Sequence, residues 1–302
     1  MNKFFIGISG WRYAPWRKNF YPQGLVQKKE LYFASRSVNS IEINGSFYAL
    51  QTPERYANWY ADTPDNFMFS VKAPRYVTHI RRLNDVEQPI ANFFASGIFE
   101  LKEKLGAILW QFPPSFKFNP EQFQQFLELL PKTTTEAQKN VRKYFPDFEL
   151  PDYAVKNARI RHAVEIRNES FVNPDFIKML RRNNVAFVIA DTANRWPYAE
   201  DITSDFVYMR LHGDTELYRS GYSTEAIQHW YKRIKSWSRG SYPKDSKLIS
   251  KRVRLHESLD VFCYFDNTDK LWAPQDAREL SALLGIDADL QNPEDLLQSI
   301  AS

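Results

Sequence analysis

In the stretch Ser40-Ile41-Glu42-Ile43-Asn44-Gly45-Ser46-Phe47-Tyr48, a carboxylate and an amide alternate with isoleucines. A strand points successive side chains to opposite faces, so Ile41 and Ile43 fall on one face and Glu42 and Asn44 on the other. Burying an ionised glutamate without partners is costly. The Glu42 face therefore has to meet a cluster of partners, a wet pocket, or both.

Similar runs recur along the chain. Strands are predicted at Phe4–Gly10, Ser40–Ser46, Met68–Pro74, Gly106–Phe112, His162–Arg167, Ala186–Asp191, Phe206–Gly213 and Asp260–Asn267. Helical patterns lie between them at Gln27–Ser37, Pro53–Asp62, Pro89–Glu103, Pro120–Leu130, Pro174–Asn183, Thr224–Trp237 and Pro274–Leu284, and several open on the proline that a first helical turn favours. The connection Ala193–Ser204 is too short for a crossover helix and reads as a loop or single turn. Such alternation predicts an α/β fold, a parallel eight-stranded sheet closed as a (β/α)8 TIM barrel, with an open doubly wound sheet as the alternative. The 302 residues suit one barrel domain over 1–302, since barrels take about 250 residues and tolerate insertions. Inserts at 132–161 and 238–259 precede strands and should emerge at the amino-terminal face, away from any site. Lys247, Lys251, Arg252 and Arg254 in the second insert read as a solvated loop.

Strand parity then predicts what faces inward: Ser9 and Trp11, Glu42 and Asn44, Ser70 and Lys72, Gln111, Glu165 and Arg167, Asp191, Arg210 and His212, and Asp266. The opposite parity is largely apolar, as a helix-covered surface requires. Polar groups thus gather at the carboxyl ends of the strands, where barrel enzymes keep their sites.

Composition adds boundaries. Forty Lys and Arg against 36 Asp and Glu leave a net charge of +4, too little to indicate nucleic acid by itself. Cys263 is the single cysteine and lies in an apolar run, which fits a reducing cytoplasm and a buried thiol. No apolar run approaches the ~20 residues that span a bilayer, so no membrane association is expected.

Taken in order, Ile6-Gly7-Ile8-Ser9-Gly10-Trp11, Trp16-Arg17, Phe20-Tyr21-Pro22, Glu42-Ile43-Asn44, Phe47-Tyr48, Val71-Lys72-Ala73-Pro74-Arg75-Tyr76-Val77-Thr78-His79, Gln111-Phe112-Pro113-Pro114-Ser115-Phe116, Glu165-Ile166-Arg167, Ala190-Asp191-Thr192, Tyr208-Met209-Arg210-Leu211-His212-Gly213 and Tyr264-Phe265-Asp266-Asn267 resemble the YecE-like family, domain of unknown function 72. The resemblance runs to about Leu284 and implies a TIM barrel without supplying an activity. Ile8, Gly45 and Trp110 depart from its pattern, and none of them removes a charged strand-end residue.

The strand-end residues suggest chemistry. Glu42, Glu165, Asp191 and His212 are the candidate catalytic groups, since carboxylates across a barrel mouth can serve as general acid and base. Trp11, Asn44, Lys72, Arg75, His79, Gln111, Arg167, Arg210 and Asp266 are the candidate substrate contacts. Cations interleaved with aromatics, as in Arg12, Tyr13, Trp16 and Arg17 or in Arg75, Tyr76, Arg81 and Arg82, suit phosphate with a sugar or base ring. The expected activity is hydrolysis or isomerisation of a small anionic, phosphate-containing ligand. No cofactor is required, although Glu42, Glu165, Asp191 and His212 could hold one divalent metal ion if they converge. Lys72 could also form a Schiff base. The alternatives are a nucleic-acid or nucleotide binding protein and a scaffold whose charges form a static network.

Overall fold

The computed structural model describes residues 3–151, 157–267, 272–286 and 290. Strands β1 (Phe4–Ser9), β2 (Ser40–Ile43), β3 (Met68–Lys72), β4 (Leu105–Gln111), β5 (Arg161–Glu165), β6 (Ala186–Asp191), β7 (Phe206–Leu211) and β8 (Asp260–Phe265) pair in sequence order, and β8 closes on β1 in parallel. The closed (β/α)8 barrel is therefore the fold, and the open doubly wound sheet is not.

Around it lie α1 (Glu30–Ser37), the short turn α2 (Gly45–Tyr48), α3 (Pro53–Asp62), α4 (Glu87–Ala95), α5 (Pro120–Leu129), α6 (Thr134–Arg142), α7 (Pro174–Asn183), α8 (Thr224–Ser238) and α9 (Trp272–Leu284). Thr52, Asn119 and Asn173 cap α3, α5 and α7 by accepting backbone N–H groups that a helix start leaves unpaired, with proline following in the first turn. Between β6 and β7 the described chain forms no helix, as the short connection predicts.

Two elements end earlier than their sequence pattern suggests. The helical run Pro89–Glu103 breaks at Gly97, whose φ of 102° is left-handed and whose missing Cβ admits Pro53 Cα, which an added Cβ would meet at 2.4 Å. The second strand stops at Ile43, because Asn44 turns to helical φ and ψ and starts α2. Barrel closure also depends on Gly7, where an added Cβ would meet the Ser40 carbonyl oxygen at 1.7 Å.

The apolar parity packs outward: Ile6, Ile8, Ile41, Ile43, Val71, Ile108 and Met209 belong to the main core beneath the helices. Inward residues form a second core of Phe5, Leu109, Ala163, Val188, Tyr208, Phe262 and Tyr264. Above the aromatic layer the Tyr264 hydroxyl joins Ser40 Oγ at 2.7 Å and Ser70 Oγ at 2.8 Å. The barrel interior thus changes from apolar to hydroxyl to charged toward the carboxyl ends.

Both inserts close the opposite end. The ends of 132–161 pair through a bridge between Thr133 and Arg159, and Arg159 forms an ion pair with Asp205 just ahead of β7. In the other insert, Lys247 O accepts the Glu200 N–H at 2.8 Å and the Ile249 N–H donates to Asp201 at 2.7 Å. Among the described residues, no hydrogen bond or ion pair joins either insert to Arg210, Glu42, Glu165 or Asp266.

Candidate active site

Arg210 organises the charged layer. Its guanidinium, 1% exposed, donates to both oxygens of Glu42 (Nη2 at 2.9 Å, Nε at 3.1 Å), to Glu165 Oε2 at 2.7 Å and to Asp266 Oδ2 at 2.9 Å. Glu42, fully buried, also accepts from Ser9 Oγ at 2.8 Å and Tyr208 Oη at 2.6 Å. Every lone-pair direction of that carboxylate faces a donor, which leaves it no free site for a substrate proton. Glu42 is thus the anchor of an arginine, and its assignment as a proton-transfer group is not supported by this geometry.

Glu165 holds a second arginine. Arg167 Nε donates to Oε1 at 2.9 Å, Arg167 Nη2 reaches the Tyr218 hydroxyl at 3.2 Å, and the guanidinium lies 3.8 Å from the Trp196 ring centre. Burial alone would raise the Glu165 and Asp266 carboxyls. Arg210 reverses that, with Arg167 helping at Glu165 and His212 at Asp266, and both end well below the usual carboxylate range. His212 is fully buried and pushed down in pKa by burial and Arg210. Its Nδ1 lies 3.0 Å from Asp266 Oδ2, off the alignment of a hydrogen bond, and its Nε2 is 3.5 Å from Arg210 Nη1.

Lys72 differs from the other cations. It is 8% exposed, and its Nζ lies 4.3 Å from the centre of the Phe47 ring with no hydrogen-bond or ion-pair partner among the described residues. Burial and the neighbouring Arg210 bring its pKa down to about 8. His79 also packs edge-to-face with Phe47 at 5.0 Å and accepts or donates at Thr78 Oγ1, 2.8 Å away. Burial, Lys72, Arg167 and Arg75 lower its pKa to about 4, so it is neutral at pH 7. Arg75 is exposed and has no ion-pair partner among the described residues. Gln111 is buried at the end of β4, and its side chain makes no hydrogen bond among the described residues.

Asp191 corrects the parity reading. Ala186, Val188 and Ala190 are the β6 residues that face into the barrel, so Asp191 shares the outward parity of Phe187 and Ile189. It accepts from Tyr222 Oη at 3.0 Å, apart from the Arg210 cluster. Burial raises its pKa to about 6. A carboxyl whose folded pKa exceeds its unfolded value loses stability as pH rises from the unfolded value to the folded one, with the full cost present above the folded value. Asp191→Asn is therefore expected to stabilise the protein at pH 8 by about 1 kcal/mol, with the gain absent at pH 4. Thermal melts at the two pH values check it.

Trp11 packs edge-to-face on Trp59 at 5.3 Å, and Asn44 Nδ2 donates to Ser9 Oγ at 2.7 Å. Among the residues that parity did not single out as functional, Tyr208, Tyr218, Trp196 and Phe47 complete the site. Tyr208 shares the inward parity of Arg210 and was legible from it, whereas Tyr218 and Trp196 sit in irregular loops that carry no such signal.

The expected metal ligands do not converge: among the described residues, no three His, Cys, Asp or Glu side chains form a metal-ligand group. Glu42 and Glu165 are committed to arginines, His212 lies against Asp266, and Asp191 is elsewhere. This donor set does not fit a divalent ion.

A closed parallel barrel with its charged layer at the carboxyl ends of the strands defines the chain as a TIM-barrel protein. More particularly, residues 5–298 match the family described as "Protein of unknown function DUF72", and the chain belongs to that family. The UPF0759 protein YunF of Bacillus subtilis (strain 168) is 30% identical over 122 residues, 39% of this chain and 42% of the relative. The UPF0759 protein YecE of Escherichia coli (strain K12) is 25% identical over 144 residues, 48% of this chain and 49% of the relative. The chain thus matches under half the length of either curated relative. A DUF72 family protein from Thermotoga maritima superposes with a TM-score of 0.70 at 23% identity, over 94% of this chain and all of that one. Another from Enterococcus faecalis gives 0.65 at 19% identity, over 93% and 95% of the two chains. These likenesses establish the shared fold.

Proposed function

We propose that the barrel mouth is the active site of an enzyme acting on a small anionic substrate, with a phosphate-containing compound as the best fit. One observation carries this reading: the carboxylates of the layer are spent on Arg210 and Arg167, while Lys72 and Arg75 have no counter-ion among the described residues. Lys72, Arg167 and Arg75 also lie close enough to His79 to push its pKa down beyond the effect of burial, against Glu165. An arriving anion would supply the missing acceptors.

Hydrolysis or isomerisation by acid/base steps suits this arrangement. An amine with a pKa of about 8 is near balance between its two protonation states at physiological pH, as proton transfer requires. In this reading Lys72 moves the proton, Arg75 and Arg167 hold the anion, neutral His79 hydrogen-bonds it, and Gln111 offers an unpaired amide. Glu42, Glu165, Asp266 and His212 hold Arg210 in place. A nucleic-acid binding role has less support, because Arg81 is paired with Asp85 and Arg82 is tied to Ser115, within the loops that suggested it. The donor set likewise gives no support to a metal-assisted route. A cytoplasmic location agrees with the buried Cys263 thiol, whose pKa burial raises. Among the described residues no helix is long and apolar enough to cross a membrane.

A thermal-shift series tests the reading. Phosphorylated metabolites and sulfate are expected to raise the melting temperature at pH 6–7. For sulfate, which does not titrate near neutrality, the shift should shrink as pH rises through about 8 and Lys72 loses its charge. If no anion shifts the transition, or the sulfate effect is the same at pH 6.5 and 9.5, the proposal fails.

A further inference from the structure

We propose that the anion received at the barrel mouth carries an apolar group of the size of one ring, and that this group lies in a groove beside the mouth. The inference rests on the reading of the mouth as an anion site. The groove, of about 330 Å³, is formed by the α2 turn, the segment that follows β3, and α4, with Phe47, Tyr48, Leu50, Arg75, Tyr76 and Ile80 in its lining. Its volume falls at the lower end of the small-molecule range, which suits a part of a ligand more than a large whole one.

The groove gathers side chains that the fold leaves uncovered. Tyr48, Leu50, Tyr76 and Ile80 are 72%, 44%, 50% and 54% exposed, and they are four of the nine large hydrophobic residues exposed among the described residues. Single exposed hydrophobes are ordinary, whereas a cluster lining one groove marks a contact surface. The backbone presents them in an uncommon way. The Arg81 N–H donates to Tyr76 O at 2.8 Å, an i→i+5 bond that makes Tyr76–Ile80 a π-type turn, a rare form that is frequent at functional sites. Neither the Tyr76 nor the Ile80 side chain makes a hydrogen bond or ring contact among the described residues.

Two residues join the groove to the mouth and identify its occupant. Phe47 has Lys72 Nζ 4.3 Å from its ring centre and the Tyr48 ring edge-to-face at 5.1 Å, so one aromatic side chain separates the amine from the groove. Arg75 is the only charged residue in the lining, and it has no ion-pair partner among the described residues. Arg75 also acts with Lys72 on the pKa of His79, which brings it within electrostatic reach of the mouth. An apolar lining with one unpaired cation complements an apolar group that bears a negative charge. Tyr48 and Tyr76 favour a flat ring among such groups, since aromatic pairs pack offset or edge-to-face. The substrate class is thus an amphiphilic anion, such as an aryl phosphate monoester.

Calorimetric titration of the full chain with methyl sulfate and phenyl sulfate at pH 6.5 tests this, because the two monoanions differ only in the apolar group. Both are expected to bind the wild type, with phenyl sulfate at least about tenfold tighter, as burial of part of a ring supplies. The double variant Tyr76→Ala/Ile80→Ala, altered at exposed positions, should keep the affinity for methyl sulfate and reduce the phenyl preference to about twofold or less. Lys72→Met should weaken both esters. Equal wild-type affinities for the two esters, or a phenyl preference that survives in the double variant, would overturn the inference and leave the anion reading of the mouth intact. Binding of neither ester would instead overturn the mouth reading, and this inference with it.

Discussion

Arg210→Met is expected to destabilise the protein by about 3–5 kcal/mol, because it strips the paired charge from the buried Glu42 and the largely buried Asp266 and leaves Glu165 with Arg167 alone. Glu42, Glu165 and Asp266 all direct oxygens at this one guanidinium. A melting temperature roughly 10 °C below wild type would follow for a chain of this size. The pH dependence separates this cause from simple loss of packing. In the wild type Glu165 and Asp266 titrate below their unfolded values, so their contribution is complete above about pH 5 and is lost as pH falls. In the variant burial acts without the arginine, carboxyl pKa values rise above the unfolded ones, and stability is lost as pH rises instead. The gap between the two proteins should therefore narrow toward pH 4–5 in urea melts. A gap independent of pH would point to packing alone.

Lys72→Met is expected to act in the opposite sense on stability while weakening anion binding. The Lys72 amine has no acceptor to lose among the described residues and a thioether side chain can lie along the same Phe47 face. A folded pKa below the unfolded value means that the folded state penalises the ammonium below about pH 8. That penalty fades as pH climbs to the unfolded value near 10.4. The variant should thus be about 1–3 kcal/mol more stable than wild type at pH 7 and no more stable at pH 10.5. Anion binding should fall by about ten- to a hundredfold, the worth of a charge-assisted hydrogen bond in a dry site. A residue whose charge costs stability and makes no hydrogen bond or ion pair among the described residues is one retained for what it binds or does.

The barrel was legible because its two faces differ in chemistry. Ile41 and Ile43 flanking Glu42, or Met209 flanked by Tyr208 and Arg210, leave little choice of register in a closed sheet. The strand β6 lacked that contrast: Ala186-Phe187-Val188-Ile189-Ala190 is apolar on both parities, so Asp191 could be assigned to either face. Its true inward neighbour is Ala190, small enough to leave room for the Arg210 cluster. The polar positions of the site were likewise visible, but their division of labour was not. Which carboxylates meet Arg210, and that Lys72 meets none, depends on closure of strands distant in sequence. Tyr218 and Trp196 reach the site from loops whose conformation no periodicity specifies.

The central claim is that Glu42, Glu165 and Asp266 direct their oxygens at Arg210 and Arg167, and that Lys72, with no hydrogen bond or ion pair among the described residues, is left to receive an anion. Calorimetric titration of sulfate into wild type and Lys72→Met at pH 6.5 tests it most directly. Saturable binding by the wild type and at least about tenfold weaker binding by the variant are predicted. Equal affinities in the two proteins, or no binding to the wild type, would contradict it.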